Sequence, residues 1–411
     1  VQAVQEARGT AERAARESFG RLVSWLAWQW RDIAAAEDAL SDALLKALEA
    51  WPAEGIPQAP DAWLLAVAKR QLLQVARHDR VRFDPAVTVL FEHEGTHEAP
   101  PDIPDARLKL MFVCAHPAID EKVRTPLMLQ TVLGLQAAEI APAMLMSPSA
   151  LAQRLVRAKQ KIRDAGLRFE EPETSELPQR LHHVLESVYG AFGLSVDAVD
   201  GAEGRMSDLQ QEAIFLCSVV CQLLPESAEA KGLLALMIFC RARQAAQVSA
   251  DEAFVPLQRQ DVHRWNREAI IQADHCLWSA AQLRQPGPFQ LEAAIQAAHC
   301  HRLFTGVTPW RAIDDLYRQI NQYFPTAGSR VAGAVATAEA GDAAAGLAQL
   351  LAMDSKRLQG FQPWWVARAH LLSMLGRLDE ADAAFQTAIG LSTQQRIKDH
   401  LEARRQSVRK A

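Results

Sequence analysis

Apolar residues recur at three- and four-residue spacing along nearly the whole chain, the pattern of amphipathic helices, and the alternation expected of strands is missing. The predicted fold class is all-α. From Gln5 to about Trp51, Phe19, Leu22, Val23, Leu26 and Trp30 share one face, and Ala39, Leu40, Ala43, Leu44, Ala47 and Leu48 share the next, predicting two packed helices. Pro52, Gly55, Pro57 and Pro60 break the run, and Asp61 is placed to cap a helix from Ala62 through Leu64, Ala68, Leu72, Leu73 and Ala76. Helix formers resume at Asp105. A short helix is predicted from Ala137, Ile140, Ala141, Met144 and Leu145, with Pro142 expected to kink or shorten it. Ser147 can cap the next helix, with Pro148 at its first position. There Leu151, Leu155, Ala158 and Ile162 fall on one face, while Gln153, Arg154, Arg157, Lys161 and Arg168 fall outside it.

Two stretches interrupt this pattern and suggest three domains. Between Arg82 and Pro104 the chain is irregular, with Glu92, His93, Glu94, His97 and Glu98 followed by Pro100 and Pro101; residues 85–104 read as a linker. An acidic, proline-bearing stretch makes 170–178 a second linker. The predicted domains are therefore 1–84, 105–169 and 179–411, the last built of helices throughout. A length of 411 residues agrees with more than one domain.

The net charge of −5 argues against a protein that coats polyanions along its whole surface, yet charge is unevenly spread. Six cysteines lie in apolar helical sequence without Cys-x-x-Cys spacing and read as reduced core residues. No run reaches membrane length and no secretory leader is apparent, so the expected compartment is the cytoplasm and no membrane partner is expected. No nucleophile, base and oxyanion set emerges and no glycine-rich phosphate loop, so no catalytic residue, metal or cofactor is expected and the chain reads as a non-enzyme.

The chemistry lies in two basic helices. In the first, Lys69, Arg70, Arg77, Arg80 and Arg82 alternate with Gln71, Gln74 and His78; in the second, Arg154, Arg157 and Lys161 accompany Ser149 and Gln153. Cations suit phosphates, and amides and hydroxyls can reach base edges. A short helix, a break and a basic helix make a helix-turn-helix pattern, whose second helix enters the major groove. A solvated surface helix is the competing reading.

Glu139-Ile140-Ala141, Ser147, and Ala152 to Lys159 ending at Ile162-Arg163 resemble region four of bacterial extracytoplasmic-function sigma factors, the module that reads the upstream promoter element. Glu37-Asp38-Ala39, Asp42-Ala43, Leu45 and Glu49 resemble the region-two segment that grips polymerase. An ordinary amphipathic helix with an acidic solvent face competes for those residues. Trp63-Leu64 and the basic pair after it resemble the segment that melts the downstream element, although many members carry Arg-Asn where this chain has Lys69-Arg70. The run Leu110 to Ala118, ending in His116-Pro117, partly matches a sub-branch that shows Cys-Cys-His-Pro there.

The resemblance implies Asp38, Asp42, Leu45 and Glu49 as core-polymerase contacts. It implies Trp63, Lys69, Arg70, Gln71, Gln74, Arg77, His78 and Arg80 for the downstream element, and Ser149, Gln153, Arg154, Arg157 and Lys161 for the upstream element. Core RNA polymerase and promoter DNA are the implied partners. Leu177-Pro178-Gln179-Arg180-Leu181, Gly232 to Met237, Arg264-Trp265 and Gly287 to Ile295 resemble a sub-branch with a large helical C-terminal extension.

In that extension Ala369, Leu372, Leu375-Gly376, Ala381, Ala384-Phe385 and Ala388 match the tetratricopeptide pattern, with a weaker copy around Gly341-Asp342, Leu347 and Leu350. Such surfaces bind protein segments, so a regulatory protein or ligand is the further partner considered; bracing of the other modules is the alternative. His299-Cys300-His301 and the pair Cys217 and Cys221 could suggest metal or redox sensing, but they fit buried helix positions better. Two other functions stay open: a helix-turn-helix regulator with a helical sensor domain, and a tetratricopeptide-type adaptor.

Overall fold

The computed structural model describes residues 2–78, 103–142, 144, 146–164, 176–196, 203–249, 251, 253–355 and 358–410. Among the described residues every regular element is a helix, and extended pairing is limited to one isolated bridge between Val248 and Phe254. No described helix is long and apolar enough to cross a membrane. Arg80, Arg82, most of the predicted linker at 85–104, and Arg168 with most of the acidic stretch after it lie outside the described residues. The chain forms two compact units, Val1–Val220 and Cys221–Ala411.

The first unit contains α1 (Gln2–Glu17), α2 (Phe19–Trp30), α3 (Ile33–Glu54), α4 (Pro60–His78), α5 (Ile103–Cys114), α6 (Glu121–Thr131), α7 (Ala137–Ile140), α8 (Pro148–Asp164), α9 (Leu177–Val196) and most of α10 (Glu203–Leu223). The stretch read as two helices up to Trp51 is thus three. Leu22, Val23, Ser24, Trp25, Leu26, Ala27 and Trp30 of α2 are all buried, since α3, α4, α5 and α6 surround it. A methyl group at Gly20 would overlap the Val132 carbonyl oxygen just past α6, so the missing Cβ permits that approach.

Asp32 caps α3 by accepting from the Ala35 N–H at 3.1 Å. Contrary to the predicted break, α3 continues through Pro52 to Glu54 and ends at Gly55, whose φ of 91° suits glycine. Asp61 does not cap α4 either. Pro60 begins the helix, and the Asp61 carboxylate turns to α2, accepting from Ser18 Oγ at 2.8 Å and pairing with Arg21. A charged partner outweighs a local backbone donor there.

Pro142 shortens the first helix of the helix-turn-helix as expected: α7 has only four residues. Ser147 caps α8, its Oγ accepting from the Ala150 N–H at 3.3 Å. Leu151, Leu155, Ala158 and Ile162 are buried, and the three larger ones contribute about 2 kcal/mol each by leaving water. That burial decides which side of α8 faces outward.

The sequence starts the C-terminal domain at residue 179, but α9 packs on α5 and α6 inside the first unit. Val184, Leu185, Val188, Ala191 and Phe192 are its buried residues. Arg180 donates to the Phe112 carbonyl at 3.5 Å, and Arg124 Nη1 meets His183 Nε2 at 2.7 Å.

In the second unit α11 (Ala228–Ala242), two-thirds of it buried, packs against α12 (Arg267–Gln282) and α13 (Pro288–Cys300). Glu229 caps α13 by accepting from the Phe289 and Gln290 N–H groups at 3.0 Å each. Then follow α14 (Arg302–Thr305), α15 (Trp310–Tyr323), α16 (Ala327–Glu339), α17 (Ala343–Leu351), α18 (Gln362–Met374), α19 (Leu378–Leu391) and α20 (Gln395–Lys410). Each of α15 to α20 packs on its neighbour in sequence, and α16 also packs on α18. Gly341 and Gly376, at φ of 121° and 69°, turn α16 into α17 and α18 into α19. Leu347, Leu350, Leu372 and Ala381 of the tetratricopeptide pattern share one core with Trp364 and Leu371, and Ala369, Ala384, Phe385 and Ala388 share another.

Candidate functional site

On α8 the predicted outward residues are outward: Ser149, Gln153, Arg154, Arg157 and Lys161 are all exposed. Arg154, Arg157 and Lys161 lie at spacings of three and four, so their cations share a stripe. Among the described residues no carboxylate pairs with any of the three. Val156 beside them is 66% exposed. The short α7 in front leaves the first turns of this stripe uncovered.

On α3 the residues Asp38, Asp42, Leu45 and Glu49 form a second stripe, and all four are exposed. Leu45 is 60% and Leu48 42% exposed, two leucines lying open among carboxylates. Large apolar side chains in water on a helix that already buries its other face are a common mark of a protein contact.

The α4 residues are divided. Arg70 and Gln74 are exposed. Gln71 instead donates from Nε2 to Asp42 Oδ2 at 2.6 Å, tying the α4 set to the α3 set. Lys69, expected as a phosphate contact, is half-buried with Nζ 4.2 Å from the centroid of a Trp25 ring, a cation–π seat. Trp63 packs edge-on against Trp51 at 5.5 Å and is half-buried. Arg77 and His78 end α4, and Arg80 lies outside the described residues.

The principal contact missed in the sequence joins α3 to α8. Lys159 Nζ donates to both Glu37 oxygens, at 2.7 and 2.6 Å, and to Gln130 Oε1 at 2.7 Å. All three ammonium hydrogens are thus used. Burial pushes the Glu37 carboxyl above its ordinary range; Lys159 opposes this, while Asp38 and Asp32 add to it. Arg163 Nη1 reaches Asp32 Oδ2 at 3.4 Å beside them. A signal was present: Glu37 lies four residues after Ile33 and three before Leu40, and Lys159 four after Leu155 and three before Ile162, each on an apolar stripe. A charge there needs a partner.

Of the residues that suggested metal or redox chemistry, Cys114, Cys217 and Cys300 are buried, Cys221, His116 and His299 are half-buried, and His301 is exposed. All six cysteines are thiols, and burial pushes Cys114 up to about 12 and Cys300 up to about 11. His116 Nδ1 accepts from the Ala118 N–H at 3.1 Å, a cap on its own turn. His299 stacks edge-on with Trp310 at 5.4 Å. Among the described residues no group of three or more His, Cys, Asp and Glu side chains is arranged to hold a metal ion. His93 and His97 lie outside them.

Residues 180–281 match a family of unknown function, DUF6596, a span that opens within α9 and ends in α12. An uncharacterized protein of Rhizobium meliloti (strain 1021) is 34% identical over 384 residues, which is 92% of this chain and 90% of that protein. No solved structure matches the chain. The chain belongs to the same family as the Rhizobium meliloti protein.

Proposed function

We propose that this member of the Rhizobium meliloti protein's family is an alternative sigma factor of the extracytoplasmic-function type. The observation that carries the reading is the pair of outward stripes in one compact unit. Arg154, Arg157 and Lys161 face solvent behind a four-residue helix, and the acidic and apolar stripe of α3 lies open beside α4. The first stripe supplies phosphate neutralisation, with Gln153 and Ser149 to reach base edges. The second offers carboxylates and leucines to core polymerase.

In this mechanism the α3 stripe docks on core polymerase. Arg70 and Gln74 face the downstream element while Trp63, braced by Trp51, borders the strand that opens, and α8 lies in the major groove of the upstream element. Lys69 and Gln71 hold α4 in place through Trp25 and Asp42 rather than touching nucleic acid. The chain contributes recognition and DNA opening, and the chemistry belongs to polymerase. The helices of the second unit set when this happens.

The test is transcription by purified core polymerase with the full chain on a promoter-fragment library. Initiation from a restricted subset of fragments is expected. Asp42→Arg, a charge reversal on the docking stripe, should cut core association about tenfold or more. Duplex binding in the absence of core, with no initiation, would replace the proposal by a conventional helix-turn-helix regulator. Binding to neither would leave a tetratricopeptide-type adaptor.

A further inference from the structure

The second unit carries a cavity of about 330 Å³, open to solvent on one side, that no sequence motif marks. Arg259, His400 and Arg404 line it with Ser373, Leu378 and Val408. No carboxylate is among the lining residues.

The cations are held in place from behind. Arg302 donates to the carbonyls of Leu257, Gln258 and Gln260, at 2.9, 2.8 and 3.0 Å, clamping the turn that carries Arg259. Phe254, just before this turn, stands edge-on to the His400 ring at 5.5 Å. Arg404 lies over the Phe385 ring at 5.3 Å and donates from Nη2 to His370 Nδ1 at 3.0 Å. His370 Nε2 in turn meets Glu339 at 2.8 Å. That arrangement fixes the tautomer: Nε2 carries the proton toward Glu339, leaving Nδ1 as the acceptor for Arg404. The carboxylate is therefore one imidazole removed from the guanidinium and does not neutralise it by contact. Arg259 is exposed and, among the described residues, paired with no acid.

Such a group of like charges is costly when empty. Burial first, and then the guanidinium of Arg259, lower Arg404; burial, Arg404 and Arg259 lower His400 in the same order. An anion in the cavity would relieve all three at once. Two guanidinium groups on one cavity, Arg404 anchored and Arg259 carried on a clamped turn, suit a dianion with several oxygens better than a single carboxylate, and a phosphate monoester carries that charge near neutrality. Leu378, Val408 and the remaining space accommodate an organic portion.

We propose that this cavity binds a small phosphate monoester through Arg259, Arg404 and His400. The test is calorimetric titration of the full chain, at constant ionic strength, with glycerol 3-phosphate, inorganic phosphate, glycerol and an acidic peptide. Saturable one-site binding of both phosphates is expected, the ester tighter, with no heat from glycerol. Arg259→Gln should weaken it about tenfold. Because Arg259 is exposed, the unliganded variant should unfold at the wild-type midpoint; His400→Gln, with the same expectation for binding, is the second variant. No saturable phosphate binding at millimolar concentration, unchanged affinity in both variants, or binding of the peptide alone would each overturn the proposal.

Discussion

Replacing Lys159 by methionine separates the worth of the contact between α3 and α8 from that of the apolar packing around it. Methionine keeps most of the length and bulk but leaves the largely buried Glu37 without its counter-ion. Removing one partner of a fully buried pair costs about 3 to 5 kcal/mol. The Glu37 side chain is 20% exposed and that of Lys159 10%, so roughly 2 kcal/mol is expected here after solvent screening. Lys159→Met with Glu37→Met removes both charges and should cost less than the single change. The pH dependence has a definite sign. Glu37 sits above its ordinary range in the folded chain, so the folded state holds the extra proton and stability falls as pH rises through that window. Loss of the ammonium extends the window upward, so the deficit of Lys159→Met is largest at neutral pH and shrinks toward about pH 5. Urea unfolding supplies the magnitude, and hydrogen exchange in peptides from α3 and α8 assigns it to this contact. A Lys159→Met protein within about 0.5 kcal/mol of wild type, or a double variant equal to the sum of the singles, would refute the reasoning.

Arg154→Ala with Arg157→Ala should weaken binding to upstream-element DNA and flatten its salt dependence by about two counter-ions, while core association stays at the wild-type level in a pull-down. Equal loss of both would remove the division of labour between α3 and α8. A Cβ at Gly232 would lie 2.7 Å from the backbone of Gln290, so Gly232→Ala should lower stability by about 1 to 3 kcal/mol through overpacking. Gly190, with nothing within 4 Å of its Cβ position, should instead gain about 0.5 to 1 kcal/mol as alanine, both read from thermal unfolding. His299 is held down at about 4 from 6.5 by burial, then Arg243 and Arg302. The unfolded chain therefore binds more protons between those values, and stability should fall as pH drops through that window by roughly 2 kcal/mol. His299→Phe should flatten that part of the melting-temperature profile.

The candidate surfaces were legible to unequal depth. The outward residues of α8 could be read directly, because a single amphipathic helix sorts its faces by periodicity alone. Leu45 and Glu49 were singled out by resemblance rather than by periodicity, and they lie exposed on α3. Periodicity could not foresee the Trp25 ring beside Lys69 or the Asp42 carboxylate that Gln71 meets, since a basic or amide side chain on a helix has the same sequence signature whether it meets phosphate, a tryptophan ring or a neighbouring carboxylate. Asp61 failed for a related reason: a position suited to capping does not exclude a stronger partner on another helix. The Arg259, His400 and Arg404 cavity had no local signature, because Arg259 lies more than a hundred residues before the His400 and Arg404 turn.

What the sequence determined by itself is what depends on neighbours within a turn or two: the helical class, the inward face of α8, the Ser147-Pro148 start of α8, the shortening of α7 by Pro142 and the glycine turns between paired helices; on α3 the periodic face was read one residue too wide, since Leu48 is 42% exposed. Backbone hydrogen bonding and side-chain periodicity act over that range. Tertiary structure alone decided which helices share a core and which charges meet. It placed α9 with the first unit, joined Glu37 to Lys159 across 122 positions, and brought Arg259 to Arg404. Such choices follow from burial and Coulomb energy summed over distant residues; local pattern can show that a buried charge needs a partner but not which partner it takes.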